Sequence, residues 1–176
     1  VKYKCTTPER LAGLLGQLAV ESALFTRTEE NLRYTTLSQL SSVFGSKVQP
    51  NPAQYLKNPK ALAMKVYGSK SSLGNKTAQD GWDFRGSGLI QTTGRYNIAM
   101  LGKRIGVNLE SNPDLLRTDP DVIVQGALYF YMVQRNCWKY ADKCDWLGVT
   151  KLINSASLQA TDRVNYTKMA YKALKA

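Results

Sequence analysis

Prolines that open segments and glycines that close them recur along this chain, and that punctuation constrains its fold more than any other feature. Thr6 with Glu9 makes a capping box for a helix running to about Phe25, and Thr36 with Gln39 starts a short helix that Gly45 ends. Asn58-Pro59 opens a helix that stops at Gly68, and another runs from near Gly94 to about Ile105. Asp119-Pro120 opens the next, Asp145 caps the segment to Asn154, and Thr161 starts the last. The expected fold class is mainly α, with at most a small hairpin. At 176 residues the chain, 1–176, has room for a single domain with one substantial core. Lys47–Asn51 and Gly68–Gly81 are the long loops, and the second is polar enough to be mobile. Val122 to Val133, interrupted by Gln125 and Gly126, falls far short of the roughly 20 residues of a membrane span and reads as a buried core helix. Leu11–Val20 has the length of a signal core, but Pro8, Glu9 and Gln17 argue against a signal peptide.

The chain has no histidine, which removes Ser-His-Asp and Cys-His nucleophile systems and zinc sites built on HExxH or mixed Cys/His ligands. Hydrolytic chemistry must therefore rest on carboxylates, and no metal is called for. Cys5, Cys137 and Cys144 are too few and too irregularly spaced for a disulfide framework, and read as free thiols; a turn between Cys137 and Cys144 is the condition for a bond. Twenty-four Lys and Arg against thirteen Asp and Glu leave a net charge of +11, spread along the chain, so the folded surface attracts polyanions. Nucleic acid, anionic lipid and anionic cell wall all qualify.

Glu9, Asp114, Asp119, Asp121, Asp145 and Asp162 fall at or near expected helix starts, where the macrodipole favours an anion by about 0.3 to 1 kcal/mol. Glu21 is different. It sits late in the first helix, on the edge of the stripe made by Leu11, Leu14, Leu15 and Leu18, and four residues before Phe25. Apolar surroundings disfavour the ionised carboxyl, which suits a general acid. The competing reading is an ion pair, with Arg85 or Arg95 as partner. Glu30 follows nine residues later, so an unbroken helix turns it to the opposite face, and a shared site requires a break near Thr26–Thr28. A shielded carboxyl and one in a polar loop match glycoside hydrolysis, with roughly 6.5 to 9.5 Å between them in an inverting enzyme. Glu29 fits the second role on spacing alone.

The segment "GWDFRGSGLIQTTGRYN", Gly81 to Asn97, is too polar for a core and fails both nucleotide-loop patterns. Gln91, Thr92, Thr93 and Asn97 offer donors and acceptors suited to sugar hydroxyls and N-acetyl groups, and Trp82, Tyr96 and Tyr34 offer apolar platforms for sugar rings. The plainer reading is a loop with satisfied amides and Thr93 as the cap of the next helix.

"AVESALFTRTEENLRY", "NPKALAMKVYG", "DGWDFRGSGLIQTTGRYN" and "TKLINSASLQATDR" fall in an order and spacing that resemble the glycoside hydrolase family 19 chitinase-like proteins, in the branch that contains bacteriophage endolysins. The resemblance runs from about Leu11 to Arg163. It implies a lysozyme-like helical domain with two lobes around a glycan-binding groove, working without metal or organic cofactor. It implies Glu21 as the general acid, Glu30 as the carboxylate that activates water, and Thr93 as a holder of that water. Gln91 and Asn97 match sugar-contacting positions, while Asn154 and Arg163 match polar positions on the far side of the groove. The chain departs from the family pattern at Val20, where His is common, at Ser22-Ala23-Leu24 and at Asn154-Ser155-Ala156, where glycine pairs are common, and at Ser87, where Arg is frequent. Both carboxylates survive these changes.

The expected activity is hydrolysis of peptidoglycan glycan strands by a muramidase-type endolysin. It is expected to be a monomer, made in the bacterial host cytoplasm without a signal peptide and acting at the cell wall, without nucleic acid and without stable membrane insertion. The alternatives are a chitinase on the same scaffold and, from a different class, a non-catalytic basic module that binds wall or nucleic acid. Such a module has no reason to retain both Glu21 and Glu30.

Overall fold

Thr7, not Thr6, caps the first helix, because Pro8 occupies the first helical position; the Thr7 Oγ1 accepts from the Arg10 N–H at 3.3 Å. The computed structural model describes residues Tyr3 to Ala176. Helix α1 spans Pro8–Glu21, α2 Leu37–Phe44, α3 Pro59–Tyr67, α4 Asp80–Asp83 and α5 Arg95–Ile105. They are followed by α6 Leu115–Thr118, α7 Pro120–Tyr129, α8 Trp138–Ala141, α9 Trp146–Ile153 and α10 Ala160–Leu174. Among the described residues the only extended pairing is two isolated bridges, Glu29 with Ser87 and Ser87 with Thr92. The fold is mainly α, and Asn58, Asp119 and Asp145 cap the helices that the sequence assigns to them.

The chain forms two compact units, and the buried apolar side chains form a cluster in each. The first unit holds the residues up to Thr28, Gly88–Ile90 and Asp119–Ala176. Its core gathers Leu14, Leu18, Leu89, Ile123, Tyr131 and Trp146. Here α1 lies against α10 along its small residues. A Cβ on Gly16 would stand 1.9 Å from the Thr167 Oγ1, so the two backbones come this close only with glycine at that position. The buried face of α1 therefore combines Ala12, Gly13, Gly16 and Ala19 with Leu14 and Leu18, while Leu15 of the expected stripe is 37% exposed.

Helix α1 stops at Glu21 and does not reach Phe25. The Ser22 hydroxyl is buried, donates to the Leu18 carbonyl at 2.6 Å and accepts from the Phe25 N–H at 2.9 Å. Ala23, Leu24 and Phe25 then adopt φ of 49°, 59° and 64°. For residues with a Cβ that conformation costs about 1–2 kcal/mol each. The break required between Glu21 and Glu30 is thus present, earlier than Thr26–Thr28. Helix α7 is also not buried all round: it continues as a π-helical turn over Phe130–Gln134 and leaves Val124 49% and Val133 45% exposed. No helix among the described residues is long and apolar enough to cross a membrane.

The second unit holds Glu29–Ser87 and Gln91–Thr118, with Leu32, Leu40, Phe44, Leu62 and Val66 in its core. The Gly68–Gly81 loop is anchored, contrary to its composition. Asn75 and Asp80 are both buried: Asn75 Nδ2 donates to the Tyr67 carbonyl and its Oδ1 accepts from the Arg95 N–H. Asp80 accepts from the Lys76 N–H at 2.7 Å, from the Thr77 hydroxyl at 2.8 Å and from Arg95 Nε and Nη2 at 2.8 and 2.7 Å. Arg95, first of these, holds the Asp80 carboxyl well below the usual carboxylate range.

Candidate active site

In the first unit, Glu21 is the last residue of α1 and remains partly exposed. Its Oε1 accepts from Arg163 Nη2 at 2.6 Å, so the ion pair weighed on sequence grounds exists with a different arginine. Arg85 pairs instead with Glu29, and Arg95 with Asp80. Arg163, on α10, is buried; its Nη1 donates to the Gln17 Oε1 at 3.0 Å and its Nε to the Leu158 carbonyl at 3.0 Å. A residue expected to face sugar therefore spends its guanidinium on holding Glu21. Beside Glu21 lies a small, mainly apolar cavity lined by Leu14, Leu18, Ile90, Phe130, Tyr131 and Ile153 among others. Asn154 ends α9, half-buried, with its N–H on the Thr150 carbonyl at 2.8 Å.

In the second unit, Glu30 is also held from two sides. The Tyr67 phenol, at the end of α3, donates to its Oε1 at 2.7 Å, and the Gly86 N–H donates to its Oε2 at 3.3 Å. Gly86 leaves room for this contact, since a Cβ there would stand 2.9 Å from the Glu30 Cβ. Burial, and then the hydrogen bond to Glu30, push the Tyr67 phenol above its usual range, so it stays a donor. Tyr67 is the functional candidate that sequence reasoning missed. Its only signal was its place in the quoted segment "NPKALAMKVYG". Glu29, the alternative to Glu30, is exposed and salt-bridged to Arg85 Nε at 3.0 Å, as an ordinary surface charge would be.

The remaining second-unit candidates lie on the loop that leads into α5. The N-cap of α5 is Gly94, with φ 95° and no side-chain cap, so Thr93 is not the cap. The Thr93 hydroxyl donates to the Gln91 carbonyl at 3.2 Å, and Asn97 Nδ2 donates to the Thr93 carbonyl at 2.8 Å. Gln91 itself takes a left-handed φ of 52°. Trp82 is half-buried with the Arg85 guanidinium 3.8 Å from its ring centre, and Tyr34 sets its ring edge-on to Phe44 at 5.5 Å. Both aromatics thus pack within the protein as well as offering surface. Tyr96 is 62% exposed. Ser87, fully buried, accepts from Arg117, which also pairs with Asp114. A guanidinium from elsewhere in the unit thus meets the serine that stands where the family frequently has Arg. All three cysteines are free, with Cys5 and Cys137 buried.

The family described as chitinase class I, glycoside hydrolase family 19, matches residues 53–170, a stretch that contains Tyr67, Gln91, Thr93, Asn97, Asn154 and Arg163. A Haemophilus influenzae protein described as a glycosyl hydrolase family 19 domain-containing protein is 33% identical over 156 residues, covering 87% of this chain and 74% of that protein. Endochitinase 1 of Theobroma cacao is 39% identical over 62 residues, 35% of this chain and 19% of that one. Chitinase C of Streptomyces griseus shares the fold with a TM-score of 0.61 at 17% identity, over 96% of this chain and 60% of that one. The chain belongs to glycoside hydrolase family 19. It spans 60% of the Streptomyces chitinase and 19% of the cacao endochitinase.

Proposed function

We propose that this domain hydrolyses the glycan strands of peptidoglycan, with Glu21 protonating the leaving oxygen and Glu30 activating the water that attacks the sugar. The observation that carries this reading is that each carboxylate is held by its own fixed donors, Glu21 by Arg163 and Glu30 by Tyr67 and the Gly86 N–H. Carboxylates that only cap helices or sit in solvent need no such support, and oriented groups are what acid and base catalysis requires. Thr93 helps to hold the water, Gln91, Asn97 and Asn154 contact sugar, and Trp82 and Tyr34 supply apolar surface. Arg163 acts through Glu21.

The net charge of +11 favours an anionic polymer such as the bacterial wall over nearly neutral chitin. A phage endolysin acting as a monomer at the host wall fits that preference. The chitinase reading draws on the plant endochitinases and the Streptomyces chitinase among the relatives. Digesting purified peptidoglycan and colloidal chitin side by side, and identifying the new reducing ends by mass spectrometry, decides between them. New N-acetylmuramic acid ends support a muramidase, and cleavage of chitin alone overturns it. Glu21→Gln keeps the side-chain shape without a transferable proton, and is expected to lower the rate by about 10² to 10⁴ with the fold intact. A folded Gln variant with normal turnover ends this mechanism.

A further inference from the structure

We propose that Gln17 is a positioning residue for Glu21: acting through Arg163, its neutral amide fixes the guanidinium that holds the acid and leaves that guanidinium with one carboxylate partner. The inference rests on the reading of Glu21 as the general acid.

Four side chains form a one-way chain of hydrogen bonds. The Thr150 hydroxyl donates its only hydrogen to the Trp146 carbonyl, one turn back in α9, at 3.0 Å. Toward Gln17 it can only accept, so Gln17 presents its NH2, and Nε2 lies 3.0 Å from Thr150 Oγ1. That orientation turns the Gln17 oxygen to Arg163, which has donors only, and Arg163 Nη1 meets it at 3.0 Å. Arg163 Nη2 then reaches Glu21 Oε1 at 2.6 Å. The amide direction is therefore dictated from both ends. Gln17, Thr150 and Arg163 are 1%, 0% and 2% exposed, so water does not compete along this chain.

The charge balance is as specific as the direction. Arg163 bonds one anion, Glu21, and two neutral acceptors, the Gln17 amide and the Leu158 carbonyl. Glutamate has nearly the shape of glutamine and would bring a second anion to the same guanidinium. Helices α8, α9 and α10 pack on α1, and the turn that continues α7 sets Tyr131 against Gly13. Their titratable side chains near this level are Lys139 and Tyr140 on α8, Lys151 on α9, and Asp162, Tyr166 and Lys168 on α10. None of these joins the network, and all but the half-buried Tyr166 are exposed. On α1 itself, Glu9 and Arg10 lie at the other end, bonded to Tyr171 and Asp142. Of the side chains lining the cavity beside Glu21, Tyr131 is the other titratable group.

The test compares Gln17→Glu, Thr150→Val and Thr150→Ser with the parent, measuring pH profiles of kcat/KM on whichever soluble glycan oligomer the domain cleaves. A second anion on Arg163 competes with ionised Glu21 for the guanidinium, so Gln17→Glu is expected to move the alkaline limb upward by about one pH unit. Thr150→Val removes the acceptor that orients the amide, and is expected to lower kcat about tenfold with KM little changed. Thr150→Ser keeps the hydroxyl and restores kcat. If Gln17→Glu leaves the limb in place and folded Thr150→Val keeps the parent kcat, Gln17 and Thr150 merely fill the core and the proposal is wrong. Glu21→Gln, run alongside, separates the two levels. An active Glu21→Gln variant overturns the acid assignment itself, whereas an inactive one beside silent Gln17 and Thr150 variants overturns only the positioning role.

Discussion

Tyr67 commits its phenolic hydrogen to one oxygen of Glu30, while the other oxygen accepts the Gly86 N–H. Tyr67→Phe keeps the ring against the second core and removes only that donor. We expect kcat to fall by about tenfold with a melting temperature within a few degrees of the parent, since one such bond contributes about 0.5–1.5 kcal/mol net. Unchanged kcat would detach Glu30 from the chemistry. Thr93 gives a sharper test, because its hydroxyl bonds the Gln91 carbonyl and caps nothing. Thr93→Val is therefore expected to lose most turnover with little loss of stability, and Thr93→Ser to retain both. A large drop in melting temperature with normal turnover on the folded fraction would make Thr93 a structural residue.

At the scale of elements, Asp80 joins the 68–81 loop to the start of α5 through Arg95, a pair whose carboxylate side is almost fully buried. Asp80→Asn leaves Arg95 without its main anion, and we expect a loss of about 3 kcal/mol at neutral pH, read from urea unfolding. The pH dependence has a definite sign. The folded carboxyl ionises below its unfolded value, so its contribution is complete above the ordinary carboxylate pKa of about 3.9 and fades as pH falls through the lower folded value. The stability gap between parent and Asp80→Asn should therefore be full at pH 7 and shrink below about pH 4. A gap that stays constant down to pH 2 would mean that the ion pair contributes nothing that depends on protonation.

For the whole molecule, charge and not shape sets the expected contrast. The +11 charge acts over a Debye length of about 8 Å at physiological salt. Lysis of intact cells should fall steeply as salt rises, while cleavage of soluble glycan fragments changes much less. Parallel salt curves would show that the charge does not target the wall.

What the sequence by itself determined was local or subtractive. Thr36, Asn58, Asp119 and Asp145 cap helices through N–H groups no more than three residues away, so their signals lie in adjacent letters. The absence of histidine excluded whole reaction classes at once. Glu21 stood out because its own helix gave an anion no reason to be there. The tertiary structure alone decided who holds whom. Arg163 is 142 residues from Glu21 and Tyr67 is 37 from Glu30, and no helical period or capping rule relates positions so far apart. The same reason accounts for the 68–81 loop, whose polar composition suggests motion but whose buried Asn75 and Asp80 find a partner in Arg95 at the start of α5. It accounts for α1 as well, whose buried face adds Gly13, Gly16 and two alanines to Leu14 and Leu18 because α10, far along the chain, packs there. A hydrogen-bond or packing partner is fixed by where the folded backbone returns, and that information is spread over the whole chain.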